Sequence, residues 1–526
     1  MKRRAAKALR AGLAPVQRES GMALASGTGP SGYQAAKREL AALRNFVARP
    51  RTADEDALPG LPELRARSRE MMMNAPLASG AVKTVVTNVV GTGLRLSAQV
   101  NRHILASIGI SAEAAEEYEH ALEAEWQLFC RRENADHAQR LCFEEMQELA
   151  FRSVLGSGDC FVAAVARPAG ADFDFALQLI EADRVSNPSR KASTETLADG
   201  IEYTDAGVPV ACHVAELPRT GTGARNWRRL PLRAADGSPR VLHLMHGERI
   251  GQSRGVPYLA PVVATLKDLD RYSQAELTAA VLNACIAILG ESPKGDGPLK
   301  AGADAGGGAL RRADINFESG MVLEGFMPGE TLKSFAPDRP SQGFDPFVLA
   351  VLRQVGVALE LPFELLVKHF TASYSAARAA LLQAAGFFKA RRVWLARNMC
   401  QPSYELVVRN AVLRGTLVLP GFLEDSRLRM AWLGTRWTGD SFGQINPEIE
   451  VRAAERRIRL GLSSRTRETA ELTGENWEAV VAEAAAEAAL LRELGLPQGD
   501  ALDDAPVPDM PMDGDLENAA QPRQGG

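Results

Sequence analysis

The pentapeptide "GQSRG" at 251–255 has the G-x-S-x-G spacing of a nucleophile elbow, in which a serine sits on a sharp turn between a strand and a helix. In a hydrolase built on this motif, Ser253 would attack the substrate and His369, the only histidine later in the chain, would be the base. Asp268 or Asp270 would orient that histidine. The residue types therefore permit a serine hydrolase, which stays open as an alternative.

The sequence around this motif argues against such chemistry. The strand predicted before it, "HLMHGERI", is too polar for the centre of a parallel sheet, and Pro257 falls within the turn. A motif with two free positions also recurs by chance in a chain of 526 residues. We expect a tight turn that begins a long helix, and we expect no catalytic residue.

Patterns that could hold a metal or a nucleotide are weak. His243 and His246 form H-x-x-H near Glu248, but on a predicted strand their side chains would point to opposite faces. No G-x-x-x-x-G-K-[ST] loop occurs, which argues against a P-loop ATPase. The six cysteines include no C-x-x-C pair, as is typical of proteins of a reducing compartment. We therefore expect neither a metal nor a cofactor.

The charge of the chain is nearly balanced overall but uneven at its ends. The formal net charge is −4, which gives no global basic field for tight, non-specific binding of nucleic acid. Residues 1–51 carry eleven Lys and Arg against two Glu, whereas residues 497–526 carry seven acids against Arg523. Both ends are predicted to be solvated and poorly ordered. The longest apolar run, 277–290, is too short to span a bilayer, so we expect a cytoplasmic chain without a membrane segment.

The spacing of apolar residues predicts an α+β fold that is rich in helix. Residues 59–155 read mostly as helices, and residues 173–250 read as strands joined by short turns. A long helix then runs from about 256 to 290 and a Gly- and Pro-rich excursion with two or three short strands follows it. Helix returns near 345, and a polar turn leads into a further long helix, about 374–399. Two long helices thus flank a small β excursion.

Five segments of the chain carry a family resemblance in a fixed order. They are "RARSREMMMNAPLASGAVKTVVTNVVGTGLRL" (65–96), "LGSGDCFV" (155–162), "LQLIEADRVSNP" (177–188), "GQSRGVPYLAPVVATLKDLDRYSQAEL" (251–277) and "PFELLVKHFTASYSAARAALL" (362–382). Together these segments resemble the lambda-type portal proteins of tailed bacteriophages, over roughly residues 60–450.

The resemblance implies a portal fold with an α/β wing, a two-helix stem, a small β-containing clip and a helical crown. The implied segments are a basic, poorly ordered N-terminal arm (1–58), the first part of the wing (59–255), stem helix 1 (256–290), the clip (291–344), stem helix 2 (345–361), the tunnel loop with the long wing helix and second part of the wing (362–449), the crown (450–496) and an acidic disordered tail (497–526).

The resemblance also implies a function without catalysis, in a phage or prophage particle assembled in the cytoplasm of a host bacterium. A portal forms a dodecameric ring at one vertex of the capsid. The ring is the conduit through which double-stranded DNA is packaged and ejected, without sequence preference. Implied partners are the terminase large subunit, the major capsid and scaffold proteins, and the head-completion or tail-adaptor proteins of the head–tail joint. A helical scaffold or adaptor protein without a channel remains a further alternative.

The resemblance places a tunnel loop at about 367–375, between stem helix 2 and the long wing helix. Lys368, His369, Ser373 and Tyr374 are the residues that would face DNA, and Ser373 could cap the following helix. Small residues would let the loops of neighbouring copies crowd around an axis. The residues expected to pack that helix against its neighbours are Ala376, Ala377, Arg378 and Ala380. The alternative is a plain turn in which Tyr374 anchors the core.

Overall fold

The computed structural model describes residues 41, 44–216, 226–284, 288–291, 331–334, 344–369, 374–441 and 447–494. The chain divides into two compact units, Met1–Ile445 and Asn446–Gly526. Within the described residues the fold is α+β and rich in helix, as the sequence predicted.

The first unit opens with helices that supply much of its core. Their bounds are α1 Ala53–Ala57, α2 Leu61–Asn74, α3 Pro76–Val89, α4 Arg102–Ala106, α5 Ala112–Cys130, α6 Arg132–Ala135 and α7 Phe143–Ser157. Within the stretch 59–155, which the sequence predicts to be mostly helical, α2 ends at Asn74 because Ala75 precedes a proline and adopts an extended conformation. The valines of α3 recur at helical spacing, and Val82, Val85 and Val89 are buried as that spacing predicts.

The same predicted helical stretch, 59–155, is also broken between α5 and α7. Arg131 is extended, and after α6 the carboxylate of Asp136 accepts hydrogen bonds from the amides of Ala138, Arg140 and Leu141. Aspartate competes in this way with helical hydrogen bonding, since its side chain replaces the backbone acceptors of a continuing helix. The break lets α7 run back against α2 and α3 instead of extending α5.

Among the described residues, the strands of the region predicted to be β pair with each other in antiparallel fashion. The strands are β1 Arg95–Ala98, β2 Asp159–Ala166, β3 Phe175–Glu181, β4 Leu197–Ala198, β5 Ile201–Tyr203, β6 Pro209–Glu216, β7 Asn226–Pro231 and β8 Val241–Met245. One sheet has the order β3-β2-β8 and another has the order β4-β5-β6-β7. Alternate residues of β2 enter two different cores: Cys160 and Val162 join the helical core, and Phe161 and Ala163 join the core of the β region.

The following helices and strands differ from the sequence prediction in their bounds. They are α8 Val263–Ala284, β9 Ile288–Glu291, β10 Thr331–Ser334, α9 Phe344–Ala358, α10 Phe363–Val367 and α11 Tyr374–Leu395. The first long helix begins at Val263 rather than 256, because the chain first makes short turns around Leu259. Its predicted end, 288–290, lies instead in β9, which pairs antiparallel with β10. The remaining residues of the predicted clip lie outside the described part of the chain.

Beyond α11 the helix continues through a π-helical turn, Ala396–Cys400, into α12 Gln401–Arg414, and α13 Ser426–Trp432 and β11 Thr435–Thr438 complete the first unit. Strand β11 pairs with β1, which joins residues more than 300 positions apart in the chain. The second unit contains α14 Pro447–Arg459, α15 Arg465–Leu472 and α16 Trp477–Glu493, and an ion pair between Arg457 and Glu468 joins α14 to α15. Among the described helices, none combines the length and apolarity needed to cross a bilayer.

Candidate functional site

The polar turn that was expected to face DNA is described only at its beginning. Helix α10 ends at Lys368, which adopts the left-handed conformation with φ 56°. The amide of His369 donates to the carbonyl of Glu364 at 3.1 Å, and the side chains of Lys368 and His369 are both exposed. Ser373 lies outside the described residues. Tyr374 begins α11. The chain enters the turn from the short helix α10 and not directly from the helix at 344–358, and the role of the turn stays a prediction.

The small residues expected to pack against neighbours lie in the first two turns of α11. Ala376 is exposed, whereas Arg378 and Ala380 are half-buried. Ala377 belongs to the same turns, and its side chain is not among those described. The structure of one copy does not test whether these residues contact a second copy, so their packing role stays a prediction.

Ser253 of the "GQSRG" motif is engaged by a carboxylate. Its hydroxyl donates to Oδ2 of Asp54 at 2.6 Å, and its amide donates to Oδ1 of the same residue at 2.8 Å. The predicted acids Asp268 and Asp270 lie on α8, where each is paired with a cation of its own helix. Within the described residues, no hydrogen bond joins Ser253 to a histidine. Two hydrogen bonds thus connect helix α1 to the turn at 251–255.

Arg254, the residue after Ser253, lies at the centre of a buried ionic cluster. Its side chain is fully buried, and its Nε donates to Oδ2 of Asp159 at 2.6 Å. One Nη group donates to the Asp199 carboxylate at 2.8 Å and to the carbonyl of Val185, and the other to the carbonyl of Ala182. Every donor of this guanidinium therefore has a partner, which makes its burial tolerable.

Asp159, at the start of β2, receives the other contacts of this ionic cluster. Nη2 of Arg65 on α2 donates to its Oδ1 at 3.1 Å, Nε2 of His243 on β8 lies 3.2 Å from its Oδ2, and the amide of Gly255 donates at 3.3 Å. The side chains of Asp159 and Arg65 are almost completely buried. The cluster thus ties α2, β2, β8 and the "GQSRG" turn together at the boundary between the two cores.

The charges of the cluster shift the protonation of its members. Burial alone would raise the pKa of Asp159, but the charge of Arg254 and the hydrogen bond from His243 outweigh burial and hold that pKa far below its usual range. Burial lowers the pKa of His243, and Asp159 only partly offsets this because the nearby guanidinium groups already neutralise its charge. At neutral pH the cluster therefore contains an ionised Asp159 and a neutral His243.

Two glycines allow the backbones of these segments to touch. A Cβ on Gly255 would lie 1.9 Å from the carbonyl oxygen of Gly158, and a Cβ on Gly158 would lie 2.2 Å from that of Gly255. Gly158 also has φ 91°, a conformation that side-chain-bearing residues rarely adopt. The "GSG" at 156–158 and the "RG" at 254–255 are therefore two halves of one contact.

A cleft of about 780 Å³ opens between α9, α10 and α11, and His246 also contributes to its lining. Two arginines, Arg353 and Arg391, stand over the rings of Phe363 and Phe387 at its edges. Nothing in the sequence analysis pointed to this cleft, since its residues come from three segments with ordinary helical composition. The sequence also contained no sign that the residues of the ionic cluster lie together. Arg65, Asp159, Asp183 and Arg254 each lie in a segment that carries the family resemblance, whereas Asp199 and His243 do not.

The comparisons with known proteins agree with that resemblance. The model of the family described as phage portal protein, lambda family, matches residues 41–392. The portal protein of Escherichia phage N15 is 24% identical over 475 residues, which cover 86% of this chain and 89% of that protein. Portal protein B of Escherichia phage lambda is 24% identical over 475 residues, with 86% and 88% covered.

Solved structures with a similar chain include the necks of gene-transfer-agent (GTA) particles. The neck of the empty particle, computed with C6 symmetry, aligns with TM-score 0.41 at 16% identity and covers 82% of this chain and 94% of the other. The neck of the native particle, computed with C12 symmetry, aligns with TM-score 0.38 at 17% identity and covers 78% of this chain and 98% of the other.

Proposed function

The chain belongs to the lambda family of phage portal proteins, and on that premise we propose that its copies close into a ring around an axis wide enough for duplex DNA. The ring, dodecameric in the particle, sits at one vertex of the capsid and is the conduit for packaging and ejection of the genome. It docks the terminase large subunit during packaging and joins the head to tail-adaptor proteins later. The match of the family model to residues 41–392 is the observation that carries this proposal.

The arrangement of helices around the short strands β9 and β10 supports the division of the subunit. We assign the stem to α8 and α9, the clip to residues 291–344, the tunnel loop to about 367–375, and the crown to the helices of the second unit. Helices α8 and α9 contact each other, and the strand pair β9–β10 lies between them in the chain. This is the order of parts that the family resemblance implies.

The charge around the turn suits a conduit through which DNA slides. Each phosphate held by a cation adds about 0.9 to the log–log salt dependence of binding, so many fixed cations would act as a brake. Lys368 and His369 are exposed at the start of the turn, and ring symmetry converts one lysine per subunit into a belt of charge. A few cations at the loop on a chain of net charge −4 guide DNA without gripping it.

Electron microscopy of the purified full chain tests the ring. We expect cyclic particles with a central hole in end-on views, and particles that are solid or never cyclic would refute the proposal and favour a scaffold or adaptor protein.

Deletion of residues 368–373 tests the loop separately from the ring. We expect rings to persist while packaging or retention of DNA falls, because the loop faces the channel and not the subunit contacts. Loss of the rings in this variant would instead support the plain turn anchored by Tyr374.

A further inference from the structure

We propose that the cleft between α9, α10 and α11 is a docking surface for a neighbouring copy of this chain. The inference rests on the proposed ring and names one of its contact surfaces. A closed ring is heterologous: each copy must present two different, complementary surfaces, and the cleft has the shape, the exposed apolar residues and the charge of one of them.

The shape of the cleft fits a helix of about three turns. Its wall on α11 consists of residues that recur at intervals of three and four, which are Gln383, Gly386, Phe387, Ala390, Arg391 and Trp394. Arg353, Gly356 and Val357 repeat the same spacing on α9. From Gln383 to Trp394 the helix rises by about 16 Å. A groove between two helices with this spacing accepts a third helix or a segment of similar width.

Gly386 leaves room inside the cleft. A Cβ built on this residue would have no atom within 4 Å, whereas one on Gly356, at the other wall, would lie 2.7 Å from the carbonyl of Leu361. The space beside Gly386 is therefore open to a partner and is not filled by the copy itself.

Large apolar side chains on the cleft walls face water in the single copy. The exposed fraction is 82% for Val357, which lines the cleft. It is 66% for Leu382 and 47% for Val393, which adjoin the lining residues Gln383 and Trp394 on α11. A group of exposed apolar residues of this size marks a surface that is covered by another molecule.

The charge of the cleft selects an acidic partner surface. The ionisable side chains in the cleft lining are Arg353, Arg391, Glu360 and His246, and Arg391 has Glu360 near it at 3.8 Å, so two arginines face one carboxylate. The chain itself has a net charge of −4. Its helix α5 exposes Glu113, Glu116, Glu117 and, further along, Leu128, which gives a second copy an acidic surface with an apolar end. This complementarity favours a copy of the same chain as the occupant.

The substitution Gly386→Trp places a large side chain in the cleft, at a position where a Cβ meets no atom of the same copy within 4 Å. Since tryptophan is a better helix former than glycine, the monomer should fold with unchanged or slightly higher stability. We expect the fraction of protein in rings, measured by mass photometry and negative-stain microscopy at equal concentration, to fall at least tenfold. The matched control is Gly60→Trp, since Gly60 is exposed, also has no atom within 4 Å of a built Cβ, and does not line the cleft.

A photo-crosslinker tests which molecule occupies the cleft. With p-benzoylphenylalanine in place of Val357, irradiation of assembled protein should give a ladder of covalent multimers, and the crosslinked peptides should come from another copy. Crosslinks to a different protein of the particle, or rings of Gly386→Trp at the level of the Gly60→Trp control, would overturn this inference and leave the ring standing. If the unaltered chain forms no ring, the proposed function fails, and the docking surface fails with it.

Discussion

Replacing Asp159 by asparagine tests whether the buried ionic cluster holds the fold of the first unit together. The substitution keeps the size of the side chain and removes its charge. The guanidinium groups of Arg65 and Arg254 are almost completely buried. Without the charge of Asp159, the carboxylates of Asp199 and Asp183 would balance their positive charge only in part. An asparagine can accept through one oxygen only, so several donors within 3.3 Å would lose their acceptor.

The expected loss follows from the burial of these groups. Removing one partner of a buried, hydrogen-bonded ion pair costs roughly 3–5 kcal/mol, because an uncompensated charge stays in a low-dielectric site. In a chain of this length, about 1 kcal/mol corresponds to roughly 2 °C in Tm, so Asp159→Asn should lower the Tm of the first unit by about 6–10 °C. Glu202→Gln is the matched control: its pair with Arg229 has similar geometry but lies at the surface, and should contribute at most about 1 kcal/mol.

The assay is thermal unfolding of the full chain, followed by circular dichroism and by hydrogen exchange at β2 and at residues 251–255. Combining Asp159→Asn with Arg254→Met should cost less than the sum of the two single changes, because the double variant no longer buries the guanidinium of Arg254. An Asp159→Asn variant no less stable than the Glu202→Gln control would show that the cluster is not a stabilising lock. Strict additivity in the double variant would lead to the same conclusion.

Three further predictions concern the ionic cluster and the turn at 251–255 beside it. Gly255→Ala should lower the free energy of unfolding by more than about 3 kcal/mol or prevent soluble expression, because its Cβ would lie 1.9 Å from the carbonyl oxygen of Gly158. The control Gly60→Ala meets no atom within 4 Å and should change Tm by less than about 2 °C. Burial lowers the pKa of His243 in the folded protein, so on acidification the unfolded chain takes up this proton at a higher pH than the folded protein does. The free energy of unfolding should therefore fall as the pH drops below about 6.5, by up to about 1.4 kcal/mol per pH unit. In the variant His243→Asn, Tm should depend less on pH over the same range. Ser253→Ala should lower the free energy of unfolding by about 1 kcal/mol, because the hydrogen bond to Asp54 is lost, and should leave ring formation intact. A fluorophosphonate probe should label neither the unaltered chain nor this variant. Labelling that requires Ser253 would instead support the serine hydrolase alternative.

Periodicity was sufficient where a single face of an element is buried. The valines of α3 and the apolar residues of α5 recur at helical spacing because one side of each helix enters the core, and the structure buries Val82, Leu122 and Trp126 as expected. The bounds were less accurate where a few polar residues compete with the backbone. The break after α5 depends on the carboxylate of Asp136, and α8 starts at Val263, later than the predicted position of about 256.

By itself, the sequence determined the helix-rich α+β class and the family, because each depends on local spacing or on ordered motifs. Only the tertiary structure decided that Arg65, Asp159, His243 and Arg254 meet in one buried cluster. These residues come from segments up to 189 positions apart, and the spacing of charges along the chain does not reveal which of them are buried together. The cleft beside α11 likewise exists only once α9 and α11 diverge. Contacts of this kind depend on how helices and strands pack against each other, and the free energy of that packing depends on several distant segments at once.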